Sequence, residues 1–102
     1  MHYVLFYELE DNYMERRPPL RREHLALAWK AEASGELLLA GALGEPADGA
    51  MFIFSGPGPA AAERFAEADP YVSGGLVRSW SVRPWNTVVG EAASNPLLPG
   101  GA

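Results

Sequence analysis

The chain contains no cysteine. That absence removes disulfide cross-links, a thiolate nucleophile and any thiolate metal site, and it makes the cytoplasm the expected compartment. No run of about 18 apolar residues is present either, so no membrane-spanning helix is encoded. The opening residues lack the basic start, long apolar centre and small-residue cleavage pattern of a secretory signal, and the mature chain is expected to begin at or near Met1. Positive charge is scarce: 8 Lys and Arg against 13 Asp and Glu leave a net charge of −5. Nucleic acid and anionic membrane are therefore poor partners, because both demand a basic face. Four basic residues do gather locally, at Arg16, Arg17, Arg21 and Arg22.

Other absences are of pattern. There is no internal repeat. His2, His24 and the scattered carboxylates have none of the spacings that zinc or iron requires, so no metal is expected. Gly56-x-Gly58 is too short and too bound by proline to cradle a dinucleotide, and no cofactor is expected. The chain otherwise has an ordinary globular composition, with 102 residues, 48% apolar and 21% charged. A chain of this size forms one domain and buries roughly two-thirds of the surface that it exposes when unfolded.

Local patterns place the elements. Residues 2–9, HYVLFYEL, are aromatic and branched, and both faces are largely apolar, which predicts a central strand covered on each side. Residues 10–17 read as a charged loop. Pro18-Pro19 open a helix running from Leu20 to about Ser34, in which Leu20, His24, Leu27, Ala28 and Ala31 fall on one stripe, and Gly35 stops it. Residues 36–43, ELLLAGAL, predict a second strand. GEPADG at 44–49 supplies turn residues, and AMFIFS at 50–55 a third strand. After Gly56-Pro57-Gly58-Pro59 comes a short helix over 60–69, with Ala62, Phe65, Ala66 and Asp69 on its buried side. A corner at 70–75 leads to a fourth strand over 76–85. Trp29, Trp80 and Trp85 are expected as core or interface anchors.

The order strand, helix, strand, strand, helix, strand is that of the ferredoxin-like fold, an α+β βαββαβ arrangement with a four-stranded antiparallel sheet. Both helices lie on one face of such a sheet. The other face is also apolar here, so a homodimer packed sheet against sheet is expected. Residues 1–88 make up the domain, and 89–102 a tail that is loose or packs on a partner subunit.

Two residues stand out chemically. His24 lies on the inward stripe of the first helix, and Asp69 closes the second. A carboxylate at a helix C-terminus meets the negative end of the helix dipole, a cost of about 0.3–1 kcal/mol if exposed, so the position calls for a reason. One reason is a partnership with His24. The other is local: Asp69-Pro70 can start a short turn through Ser73, with Asp69 as its N-cap, a role worth about 1 kcal/mol.

The motifs also resemble a known family. The opening YVLFYELED is followed by R-x-x-H-L at Arg21, His24 and Leu25, and then by G-x-L-L-x-A-G at Gly35, Leu37, Leu38, Ala40 and Gly41. A-D-P-Y-V spans Ala68 to Val72, and V-x-P-W falls at Val82, Pro84 and Trp85. In order and spacing over about residues 1–88 the chain resembles the YCII-related domain family, the small YciI-like proteins of the dimeric α+β barrel group. The resemblance implies a catalytic dyad at His24 and Asp69. It also implies activities like those of the wider group, where chloride is eliminated from a hydroxylated ring or a muconolactone is isomerised.

On that basis His24 is expected to abstract or return a proton beside a carbonyl or phenol, with Asp69 orienting it. Arg21 is expected to hold an anionic group of the substrate, and Tyr7 or Tyr71 to donate to a developing oxyanion. Three classes remain open: a small cofactor-free lyase, isomerase or dehalogenating enzyme acting on a small cyclic or aromatic acid; a dimeric module that binds a small molecule without converting it; and a structural subunit. Assembly beyond the dimer also stays open.

Overall fold

The structure is a computed structural model and describes residues 1–100; the last two residues of the expected tail lie outside it. Eight elements follow in order: β1 (His2–Leu9), α1 (Tyr13–Arg16), α2 (Pro18–Ala33), β2 (Leu37–Leu43), β3 (Gly49–Ser55), α3 (Ala60–Ala68), α4 (Pro70–Ser73) and β4 (Val77–Trp85). The strands form one sheet in the order β2-β3-β1-β4, antiparallel at every pairing. This is the expected ferredoxin-like α+β fold, with β1 and β3 central.

Register decides which residues face the helices. Leu5 lies opposite Phe52 and Val82, and Tyr7 opposite Ala50 and Trp80. With Leu9, Phe54 and Leu37 these form the covered face, against which Ala62, Phe65 and Ala66 of α3 are buried. Phe65 sits between Phe52 and Phe54, with ring centroids 5.0 and 5.6 Å away in tilted geometry. Tilted aromatic pairs contribute about 0.5–1.5 kcal/mol each beyond the area they bury. On the opposite face Val4 pairs with Ile53 and Phe6 with Met51. No helix covers that face, and Leu39 on β2 is 72% exposed there.

The two long helices differ in how they meet the sheet. α3 buries three residues fully, whereas in α2 only His24 is buried. Leu20, Leu27, Ala28 and Ala31 do turn inward as their spacing predicts, but they are only partly covered. A cavity separates α2 from β2 and β3, and this explains the incomplete burial. Trp29, expected as a core or interface anchor, is 69% exposed within the chain and walls that cavity.

Glycine ends α2 and α4 by the same device. After α2, Gly35 takes φ +83°, its N–H bonds to Glu32 O, and Glu36 N–H bonds to Ala31 O at 3.1 Å. After α4, Gly75 takes φ +81°, and Leu76 N–H bonds to Tyr71 O at 2.9 Å. These paired bonds satisfy the carbonyls that a helix end leaves free, in a left-handed conformation that glycine adopts without penalty. Gly74 is required for space: a Cβ there would lie 2.5 Å from Leu20 Cδ1 and 2.6 Å from Pro70 O. That close approach brings the α4 corner against α2.

Beyond β4 the chain turns back on itself. Asn95 N–H bonds to Thr87 O, and Leu97 N–H bonds to Val88 O at 2.8 Å. Val89, Leu97 and Leu98 remain exposed. Among the described residues no helix is long and apolar enough to cross a membrane.

Candidate active site

Asp69 lies at the junction of α3 and α4. Its backbone is extended, with φ −74° and ψ 121°, so it closes one helix and opens the next, and Pro70 fits the first position of the second. Its side chain is wholly buried and receives three donors. Tyr71 N–H donates to Oδ1 at 3.0 Å, the Tyr7 hydroxyl to Oδ2 at 2.7 Å, and His24 Nδ1–H to Oδ1 at 2.8 Å, with Oδ2 3.0 Å away. Hydrogen bonds to a charged group contribute about 1.5–3 kcal/mol each. Three of them outweigh the 0.3–1 kcal/mol that the dipole of α3 costs the carboxylate. The two reasons suggested by the sequence turn out to be compatible, because one carboxylate both caps α4 and holds His24.

The bonding fixes the imidazole. An ionised carboxylate offers only acceptors, so Nδ1 carries the proton and Nε2 has the free lone pair. Nε2 has no partner among the described residues and is not sealed off. The only buried side-chain polar atom without a hydrogen bond among the described residues is the Tyr71 hydroxyl. The His24 ring stacks on the Tyr71 ring at 3.8 Å with 6° between planes, and meets Phe52 and Phe65 edge-on at 6.2 and 6.4 Å. Aromatic contacts on one side and a carboxylate at Nδ1 leave it little freedom to rotate.

The cavity beside this ring has a volume of about 530 Å³, within the range of small-molecule sites. His24, Tyr7, Tyr71, Arg21 and Phe52 line it, and Asp69 does not. β2 supplies the opposite wall from Leu37 to Ala42, and α2 contributes Leu25, Ala28 and Trp29. The cavity is thus mostly apolar, with cationic groups near one end. Among the described residues no three His, Asp or Glu side chains converge in a way that could hold a metal ion.

Each residue singled out from the sequence is near the cavity, though not always in the expected role. His24, Arg21 and Tyr71 line it, and Asp69 sits behind His24. Tyr7 needs a correction: its hydroxyl, expected to donate to a substrate oxyanion, is directed at Asp69 instead. Burial, followed by the charge of Asp69 and the bond to it, pushes the Tyr7 phenol well above its ordinary 10.0, so it stays a donor. The Arg16–Arg22 patch divides by function. Arg16 donates to Gly74 O at 2.9 Å and Gly75 O at 3.2 Å, bracing the corner, while Arg17 and Arg21 line the cavity.

Tyr13 was missed. It falls in the segment read as a loop, which instead holds α1, and it is buried with its ring edge-on to Tyr71 at 5.7 Å. The one available signal was an aromatic side chain isolated among charges, in EDNYMERR.

Comparison with known proteins bears on the family and the fold. The model of the YCII-related domain family matches residues 1–86. No curated protein matches the sequence. Among solved structures, the fold is similar to that of 5-chloro-2-hydroxyhydroquinone dehydrochlorinase from Burkholderia phenoliruptrix, in complex with 2,5-dihydroxybenzoquinone. The TM-score is 0.70 at 18% identity, over 85% of this chain and 95% of that one. An antibiotic biosynthesis monooxygenase aligns with a TM-score of 0.53 at 17% identity, over 87% of this chain and all of its own. Protein Atu4242 from Agrobacterium tumefaciens aligns at 0.50 with 16% identity, over 92% and 98%. At these identities the likeness is one of fold.

Proposed function

This chain belongs to the YCII-related domain family, and from that premise we propose that it is a small cofactor-free enzyme in which His24, held by Asp69, moves a proton on a small cyclic or aromatic acid. One observation carries the reading: Nδ1 of His24 is bound to a buried carboxylate, while Nε2 has no partner among the described residues and its ring lines a cavity. In the neutral ring Nε2 is a base. The imidazolium formed when it takes a proton is stabilised by Asp69, and it can return that proton at a second position of the substrate. This sequence serves a lyase, an isomerase or a dehalogenating enzyme, and general acid-base assistance is typically worth about 10²–10⁴ in rate. Arg21 and Tyr71 orient the anionic substrate from the same cavity.

The choice of a ring substrate is supported by the fold relative that removes chloride from a hydroxylated ring and holds a dihydroxybenzoquinone. A cavity of about 530 Å³ admits a ring of that size. The test is a panel of chlorinated and hydroxylated aromatic acids and unsaturated lactones, followed by chloride release and ultraviolet absorbance. The wild type converts at least one of them; His24→Ala and Asp69→Asn lose turnover while their circular dichroism is unchanged. Turnover persisting in either variant sinks the reading.

One feature favours a second reading. Asp69 is wholly buried and outside the cavity wall, which suits a module that binds a ring compound without converting it. Binding with no conversion, and affinity unchanged in His24→Ala, would decide for that reading.

The same proposal includes a homodimer formed through the uncovered sheet face, located in the cytoplasm. Its support is the half-buried apolar set Phe6, Met51 and Ile53 with the exposed Leu39, on the sheet face that carries no helix, and the lack of cysteine. Residues 1–88 are the working domain, and 89–102 an appendage. Light scattering should give a mass twice the chain's 11.0 kDa; a monomer at micromolar concentration would overturn the assembly.

A further inference from the structure

The cavity continues past the dyad into an end of different chemistry. Its α2 wall is built by residues three and four apart, so one stripe of the helix faces it. Arg17 and Arg21 come first along that stripe, His24 next, then Ala28 and Trp29, and Glu32 last. At 1.5 Å per residue Glu32 lies about 12 Å beyond His24 along the helix axis. The chain then reverses at Gly35 into β2, with Glu36 N–H bonded to Ala31 O, so the last turns of α2 meet the first residues of β2. Leu37, Leu38 and Ala40 close this end from the sheet side.

The end past His24 is roomy, apolar and exposed. Small side chains make the room: Ala40 lies opposite Phe52 on the face that α2 covers, and Ala28 is the α2 residue one turn past His24. Trp29 is 69% exposed, and Leu25 and Leu38 are exposed beside the same cavity. One exposed leucine would mean little, but large apolar side chains gathered at a cavity mark a place where apolar surface is covered. They stand on the helix side of the sheet, away from the face proposed to pair two chains. The charge is graded in the same direction. Among the described residues no cationic side chain lines the cavity beyond His24, and the Glu32 carboxylate at the outer rim disfavours an anion there. The volume of about 530 Å³ belongs to sites that enclose more than a single ring.

We propose that this end is a subsite for a neutral apolar substituent, so that the ligand is an alkyl- or aryl-substituted ring acid with its acid group towards Arg21 and its substituent between Trp29, Ala28 and the start of β2. A bare ring acid occupies the His24 end and leaves the apolar walls wet. Covering them with ligand carbon raises affinity by about fourfold for each methylene fully buried. The subsite rests on the proposed function in placing the acid ring at His24.

Calorimetric titration at pH 7 with benzoate, 4-propylbenzoate and 4-(2-carboxyethyl)benzoate tests this. 4-Propylbenzoate should bind at least about tenfold more tightly than benzoate, and the dicarboxylate, of similar length but charged at its far end, no more tightly than benzoate. Ala28→Leu, which suits a helix and fills the room past His24, should bring the ratio of the propyl acid to benzoate down to about threefold or less, and Trp29→Ala should lower it by about threefold or more. Binding of 4-propylbenzoate should move indole emission to shorter wavelength, a shift lost in Trp29→Phe. Circular dichroism checks that the variants fold, and the exposed Trp29 decides if Ala28→Leu does not. Equal affinity for the propyl acid and benzoate, a dicarboxylate bound as tightly as the propyl acid, no binding of either monoacid, or a ratio unchanged in the folded variants would each overturn the subsite. An unchanged ratio in Trp29→Ala together with a halved mass in light scattering would assign the exposed side chains to a second copy of the chain and overturn it too. Turnover that depends on His24 without preference for the propyl acid overturns the subsite and leaves the dyad standing. Propyl preference in a protein that converts nothing upholds the subsite and ends the catalytic reading.

Discussion

The chain has two histidines, and they occupy similar surroundings with different consequences. Both are buried, and each places Nδ1 against an oxygen: His24 at 2.8 Å from Asp69 Oδ1, and His2 at 2.7 Å from Thr87 Oγ1. Thr87 is a neutral hydroxyl that also accepts from Ser94 N–H at 2.8 Å and shares a bond with Ser94 Oγ at 3.0 Å. That network ties the start of β1 to the segment after β4. Asp69 is a carboxylate with three donors, and the imidazole it holds lines a cavity. Burial and a short bond to a ring nitrogen are common to both. A charged partner and a place on the cavity wall belong to His24 alone, and those are what acid-base chemistry on a bound molecule requires.

Exchanging the histidines' roles gives the largest expected effect. Turnover of whichever ring acid the wild type converts should fall about 10²–10⁴-fold in His24→Ala and stay within twofold in His2→Ala. Equal losses would dissolve the distinction.

Stability should separate the two partners next. Asp69→Ala strands three buried donors and should cost about 3–5 kcal/mol in urea denaturation. Thr87→Val loses only neutral bonds and should cost about 1 kcal/mol. A Thr87→Val loss equal to that of Asp69→Ala would place the energetic centre of the fold at the tail.

A pH series sharpens the contrast from the Asp69 side. Tyr7 ionises above its ordinary 10.0 in the folded chain, so on unfolding its proton is given up more readily. Its contribution to stability is complete below about pH 10 and declines as the pH rises beyond that value. In Tyr7→Phe the curve should be lower by about 1–2 kcal/mol at neutral pH, through loss of the bond to Asp69, and should fall less steeply in the alkaline limb. An unchanged alkaline limb would remove Tyr7 from the network.

The smallest effect concerns ring orientation. Tyr71→Leu removes the stacked ring beneath His24 but keeps the backbone N–H that caps Asp69. It should reduce turnover severalfold while the nitrogen-15 spectrum still shows the Nδ1–H tautomer. Loss of that tautomer would mean that stacking, and not Asp69, fixes the imidazole.

Much of this was legible in the sequence because it depends on short-range rules. Two-sided apolar character marked β1 and β3 as central, the spacing of Leu20, His24, Leu27 and Ala31 turned His24 inward, and Gly35 ended α2 through its left-handed conformation. Asp69-Pro70 announced a cap, and a cap it is. Tyr13 escaped because four residues of helix carry too little periodicity to read. Tyr7 was given the wrong partner because strand alternation tells which face a side chain takes, and nothing about what waits there.

Taken alone, the sequence determined the order of the elements, the ferredoxin-like topology and the face on which each candidate residue lies, since local backbone preference and hydrophobic periodicity act within a few residues. Only the tertiary structure decided that Asp69 caps a helix and holds His24 with the same carboxylate, that Tyr7 spends its proton there, and that α2 stands away from the sheet to leave a cavity. Those outcomes depend on distances between groups 45 and 62 residues apart, which packing of the whole chain sets and no local pattern encodes.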